Sequence, residues 1–188
     1  MQINTSVSAL RNLFNLINQD NGTTLTEAEI TIGAPTEFTD DTGANDRNTQ
    51  VTLTAVDGGG YTDSVDIRYY RLGLDTLRGA RVLERQLTDT STVGTVVTAM
   101  ATTVGLIEDQ LELIDADGNV LTELPTIAAG ETAGVYLSAK ADSYCYFGST
   151  GVTLIPAETD TNVNDEVTTT DMSGFDYPDD GSTETPAA

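Results

Sequence analysis

The chain has no histidine and no tryptophan, a single cysteine, and eight basic residues in a length of 188. Each scarcity excludes something. Without histidine the commonest general base is missing, and with it the usual hydrolase triads and most zinc sites. Cys145 stands alone, so there is no internal disulfide, no cysteine-rich metal site and no Cys–His pair. No tryptophan is present to offer a flat surface for stacking sugars. No stretch approaches the roughly 18 apolar residues of a membrane-spanning helix. The opening MQINTSVSALRNLF lacks a charged region followed by an apolar core, so a signal peptide is not expected.

Apolar residues make up 38% of the chain, below the roughly 45–50% of ordinary globular chains, a figure that also counts glycine. Threonine is the commonest residue, with 32 copies, and its β-branched side chain favours pleated, half-exposed surface. Thirty acidic residues against eight basic ones give a net charge of −22. Duplex DNA and anionic membranes are repelled by such a chain, because binding them relies on lysine and arginine. The same charge keeps a surface soluble before it assembles. Seven of the eight basic residues are arginines, and five of these fall between Arg68 and Arg85. From Ala141 onward there is no Lys or Arg and there are ten Asp and Glu. A basic-leaning middle and an acidic end suit head-to-tail contact between copies.

Hydrophobic periodicity places the elements. Val7, Leu10, Phe14 and Ile17 predict a helix over Asn4–Asn21, with Asn4, Thr5 and Ser6 as N-cap candidates and Asn21-Gly22 as its stop. EITIGAPTEF reads as a strand broken at Gly33 and Pro35. Gln50–Val56 alternates cleanly, Asp57–Gly60 is a turn, and Ser64–Leu72 alternates again, which predicts a hairpin. Leu74–Leu87 is open between an extended arm and a strand. Val93, Val96, Val97, Met100 and Val104 predict a second helix over Thr90–Thr103 behind a Thr/Ser capping cluster. Gln110–Leu124 reads as a hairpin about Asp117-Gly118. Strands are predicted at Ala133–Ala139, Tyr144–Gly148 and Val152–Ile155.

The fold class expected is α+β and β-rich. Two small lobes, each a helix with short antiparallel strands, would be followed by an extended acidic C-terminal arm. The corresponding division is an N-terminal lobe 1–75, a connecting arm 76–90, a second lobe 91–156 and the acidic arm 157–188.

No motif offers catalysis. DGGGYTD lacks the GKS or GKT ending of a phosphate loop. Asp115-Ala116-Asp117-Gly118-Asn119 begins like a calcium loop, but Val120 and Thr126 stand where Gly and Glu are needed, so a hairpin turn is expected. With 30 acidic residues, paired carboxylates are inevitable by chance and do not identify a glycosidase. Cys145, in YCYF, reads as a small buried hydrophobe. No cofactor, metal or enzymatic activity is expected.

Interaction chemistry is better represented. YTDSVDIRYYRLGL gathers Arg68, Tyr69, Tyr70 and Arg71, residue types enriched at interface hot spots. Arg78 and Arg81 extend the basic stretch. Near the end, DMSGFDYP alternates apolar and acidic residues, so that Met172, Phe175 and Tyr177 each suit a pocket on a neighbour.

Three phrases, LRNLFNLINQDNGTTLT, NTQVTLTAVDGGGYTDSVDIRYYRLGLDTL and VTTTDMSGF, resemble a family of small virion structural proteins from large contractile-tailed bacteriophages. The resemblance runs over most of the chain in the order of its elements. It implies a non-enzymatic role in the particle, with other virion proteins (major capsid or tail proteins) and copies of itself as partners, and with neither nucleic acid nor membrane. A head decoration or cement protein is the expectation. A tail tube, collar or baseplate component is the alternative, and a host-binding adhesin the second. The expected location is the virion, assembled in the host cytoplasm.

Overall fold

Alternation and helical periodicity become two helix-on-sheet layers. The computed structural model describes residues 1–40, 43, 46–78 and 83–157, and Met1–Ala157 form one compact unit. Helix α1 spans Ala9–Asn21 and begins later than the periodicity predicts. The Arg11 amide donates to Ser8 Oγ at 3.1 Å, so Ser8 is the N-cap. Asn4 makes a local turn instead, accepting the Ser6 amide on its side chain at 2.9 Å. Gly22, at φ 64°, closes the helix in the left-handed region.

The first sheet holds β1 (Ile30–Ile32), β2 (Thr36–Glu37), β3 (Thr49–Ala55) and β4 (Ser64–Tyr69). All pairings are antiparallel: β1 and β2 share one edge of β3, and β4 takes the other. The expected break at Gly33 and Pro35 separates β1 from β2. Leu13, Phe14 and Ile17 of α1 pack on Ile30, Val51, Leu53 and Tyr69. Each such buried side chain contributes on the order of 1.5–3 kcal/mol. The hairpin between β3 and β4 turns on Asp57–Gly60, which lies against the start of β1. There the Val56 amide donates to the Glu29 carbonyl at 2.8 Å. A Cβ on Gly59 would stand 2.9 Å from Glu29 Cα, so this close approach needs glycine.

Between the sheets the chain forms β5 (Leu72–Gly73), a 3₁₀ turn at Thr76–Arg78, and β6 (Leu83–Gln86). The segment read as open between arm and strand therefore contains a strand. Helix α2 spans Val93–Val104 behind a Thr92–Thr95 capping box. The second sheet adds β7 (Leu111–Ile114), β8 (Ala133–Ala139) and β10 (Ser149–Ile155), in the order β6-β10-β8-β7. Val96, Val97, Met100 and Ala101 of α2 pack with Leu113, Val135, Leu137, Val152 and Leu154.

Two pairings are parallel: one makes the second sheet mixed, and the other forms a separate two-stranded sheet. β6 runs alongside β10, and β5 alongside β9 (Tyr146–Phe147). The hairpin expected over Gln110–Leu124 is reduced to its turn. Gly118 adopts φ 86° as the Asp-Gly signal requires, but the return segment makes a single bridge, Ile114 to Val120. The true partner of β7 is β8, because Leu111 and Leu113 need a strand that shares their buried face.

Among the described residues, no helix is long and apolar enough to cross a membrane.

Candidate interaction cleft

The Arg68–Arg71 stretch runs from the end of β4 to β5, and its four side chains divide by alternation. Tyr69 is 7% exposed, and its hydroxyl donates to the Tyr144 carbonyl at 2.9 Å. Burial pushes its phenol well above the usual range, against the pull of the nearby Arg71 charge. Arg71 is half-buried. Its Nε donates to Thr49 Oγ1 at 2.7 Å and a terminal nitrogen donates to the Ser143 carbonyl at 2.9 Å. Its backbone amide and carbonyl both engage the Asn48 side chain. Burial lowers the arginine's pKa, partly offset by Tyr69 and Glu37. Tyr69 and Arg71, expected at an intermolecular surface, are committed inside the chain: both reach the 143–144 loop and tie the first sheet to the second.

Arg68 and Tyr70 point the other way. Tyr70 is 48% exposed. The Arg68 guanidinium lies 4.3 Å from the centroid of the Phe38 ring, and its Nε donates to Gln50 Oε1 at 3.2 Å. Arg68 makes no ion pair with any described residue. Arg78 ends the 3₁₀ turn. Arg81, Met172, Phe175 and Tyr177 lie outside the described residues.

Beside this segment is a cleft of about 580 Å³, walled by α1 through Leu13, Leu16 and Asp20 and by the Arg68–Leu72 segment. Residues 1–3, Asn12, Tyr144 and Cys145 complete the lining. The sequence did not single out this combination, because α1, residues 1–3 and the Tyr144 loop meet only in the fold. Asn12 is buried and fastens the backbone of Asn4. Its side-chain amide donates to the Asn4 carbonyl at 2.9 Å, and its Oδ1 accepts the Asn4 amide at 2.8 Å. Met1, Tyr70 and Leu72 in this lining are 55%, 48% and 39% exposed. Two arginines, Arg47 and Arg68, border the cleft against one carboxylate, Asp20. Arg47 also pairs with Asp46 at 2.7 Å.

Cys145 is buried, as the sequence reading expects of a small hydrophobe. Burial, helped by the Asp109 charge, pushes its thiol up to about 11, so it is a poor nucleophile at neutral pH. Among the described residues no group of three acidic or cysteine side chains is placed to hold a metal ion. The Asp115 turn is held internally: its carboxylate accepts from Asn119 Nδ2 and from the amides of Asp117 and Asn119 at 2.8–2.9 Å.

The architecture is therefore an α+β unit of two helix-covered sheets, with one apolar, arginine-bordered cleft at the side of α1. Residues 4–188 match a family of unknown function, DUF7941, and the chain belongs to that family. No curated protein and no solved structure matches the chain.

Proposed function

We propose that this protein is a non-enzymatic structural subunit of a bacteriophage virion. It binds neighbouring capsid or virion subunits and acts as a head decoration or cement protein. The observation that supports this most is the presence of exposed Met1, Tyr70 and Leu72 together with Arg68 around one cleft of a strongly acidic chain. Aromatic, methionine and arginine side chains around an apolar centre are the composition of protein–protein interfaces. The high acidic charge limits unwanted self-association until a complementary surface is offered. The resemblance of LRNLFNLINQDNGTTLT and its companion phrases to small virion proteins supplies the setting.

A tail component is the second reading, and one feature favours it. Strand β4 lies at the edge of its sheet, with Val65 57% exposed, and such an edge is able to extend a sheet between subunits in a ring.

The test is mass spectrometry and immunogold microscopy of purified particles, with heads and tails separated. Abundant chain on heads is the expected result, and abundant chain on tails selects the second reading. Absence from both overturns the proposal.

A further inference from the structure

We propose that the free edge of β4 is a two-fold dimer seam, on which β4 pairs antiparallel with β4 of a second copy of this chain, centred on Ile67. The inference goes beyond the reading above and does not rest on virion membership.

The backbone supplies the first requirement. β4 pairs with β3 along one side, and among the described residues no strand takes its other side. The Ala55 amide donates to the Asp63 carbonyl at 3.1 Å, and the Asn48 amide to the Tyr69 carbonyl at 3.3 Å. Antiparallel alternation therefore turns the backbone groups of Val65, Ile67 and Tyr69 toward β3 and those of Ser64, Asp66 and Arg68 outward. Those outward groups are donors and acceptors that another strand can pair. Ser64, Val65, Asp66 and Arg68 are all exposed, Val65 at 57%.

Charge then selects the register. Outward residues must stand opposite outward residues. Centring the pair on Asp66 or on Arg68 sets two like charges directly opposite, which is destabilising. Centring it on Ile67 sets Asp66 of each copy opposite Arg68 of the other, with Cα atoms about 5.5 Å apart. The same register brings exposed Val65 against Tyr69 on the α1 face. Both charged side chains are already steadied by β3. The Asp66 carboxylate accepts from Thr52 at 2.6 Å and from Gln50 at 3.2 Å. Arg68 donates to Gln50 through Nε alone and lays its guanidinium over Phe38. The charges thus fix the register, while backbone hydrogen bonds and the apolar face hold the pair.

The occupant follows from the sequence. A strand that matches this edge antiparallel must itself read acid, any residue, base. Of the eight basic residues only Arg68 has an acidic residue two places before it, and residues 158–188 hold no base at all. The complement of Asp66-Ile67-Arg68 is therefore the same triplet. A chain has one β4, so the pair joins two copies. It uses both edges and closes the dimer, making one eight-stranded sheet from two of four.

The test is sedimentation velocity of the full-length chain over rising concentration. The ionic strength is set so that repulsion between −22 chains is screened beyond about 8 Å. A reversible monomer–dimer equilibrium is expected. Asp66→Arg and Arg68→Asp should each weaken it about tenfold or more. Mixed in equal amounts, the two variants should pair as tightly as the unsubstituted chain, and a chain carrying both substitutions should do so alone. Misfolded variants are not rescued in this way, so a charge effect is told apart from a folding defect. Hydrogen exchange at the amides of Ser64, Asp66 and Arg68 should slow as concentration rises. A monomer at every concentration, single variants that dimerise normally, or no rescue in either the mixture or the doubly substituted chain overturns the proposal. Protection of those amides that is independent of concentration assigns the edge to another part of the same chain and also overturns it.

Discussion

The hydroxyl of Tyr69 donates to the backbone carbonyl of Tyr144 at 2.9 Å across 75 residues of sequence. Tyr144 answers by donating its own hydroxyl to the Ile32 carbonyl of β1 at 3.2 Å. The two tyrosines thus clasp the sheets from both sides, and Arg71 adds a third tie to Ser143.

Tyr69→Phe keeps the ring in the core and removes the donor, leaving a part-buried carbonyl unpaired. The expected loss is about 1–2 kcal/mol, read as a lower midpoint in urea with an unchanged slope. A double-mutant cycle with Arg71→Lys should be non-additive, because both residues hold the same loop.

Asn12→Ala removes the buried amide that fastens the Asn4 backbone in both directions. A loss of roughly 1–3 kcal/mol is expected from the unpaired groups. Hydrogen exchange should accelerate over residues 4–7 before it does anywhere in β3. Equal acceleration across the whole chain would contradict the local role given to Asn12.

Cys145 should resist iodoacetamide in the native protein at pH 8 and react at least about tenfold faster after unfolding. Its thiol value rises from 9.0 to about 11 on folding. Between those values the unfolded chain has released its proton and the folded chain has not. Stability from this group is therefore complete below about pH 9 and falls as pH rises toward 11. Cys145→Ser, which titrates nowhere in that window, should flatten the fall in melting temperature.

Asp115 is partly buried, and its pKa lies below the usual carboxylate range, first because of the Asn119 side-chain amide and then because of backbone amides. Its contribution to the turn is present above the ordinary carboxylate value and is lost as pH falls through the lowered one. The amide resonances of Asp117 and Asn119 should titrate together at that lower pH. Asp115→Asn should abolish the transition. Independent titration of the two amides would break the assignment.

Much of the fold was legible where a face is buried and the period is local. β3 shows this: Val51 and Leu53 alternate with Thr52 and Thr54, and the structure buries the first pair against α1. The start of α1 was harder, because Asn4, Thr5, Ser6 and Ser8 are all capable caps. The choice fell to Asn12, which draws Asn4 into a separate turn. The pairing of β7 with β8 was not legible, since Asp117-Gly118 signals a turn but does not say which strand receives the returning chain. The parallel partnership of β6 with β10 left no local mark at all.

The candidate site was legible only in residue type. Tyr69 and Tyr70 are adjacent and chemically alike, and alternation set them on opposite faces without naming the inner one. What decided it was the arrival of Tyr144 and Ser143 from the far end of the chain, a contact no short window contains.

Strand β10 sits between β6 and β8, and its neighbour β9 supplies the partner of β5. The last strands among the described residues are thus the ones around which the second sheet closes. On a ribosome, β6, α2 and β7 must wait, apolar faces uncovered, until residues near 155 have emerged. Assembly of this unit is consequently slow relative to the local hairpin of β3 and β4. A chain interrupted anywhere before Ile155 leaves a half-built layer that invites capture by chaperones or by other nascent copies.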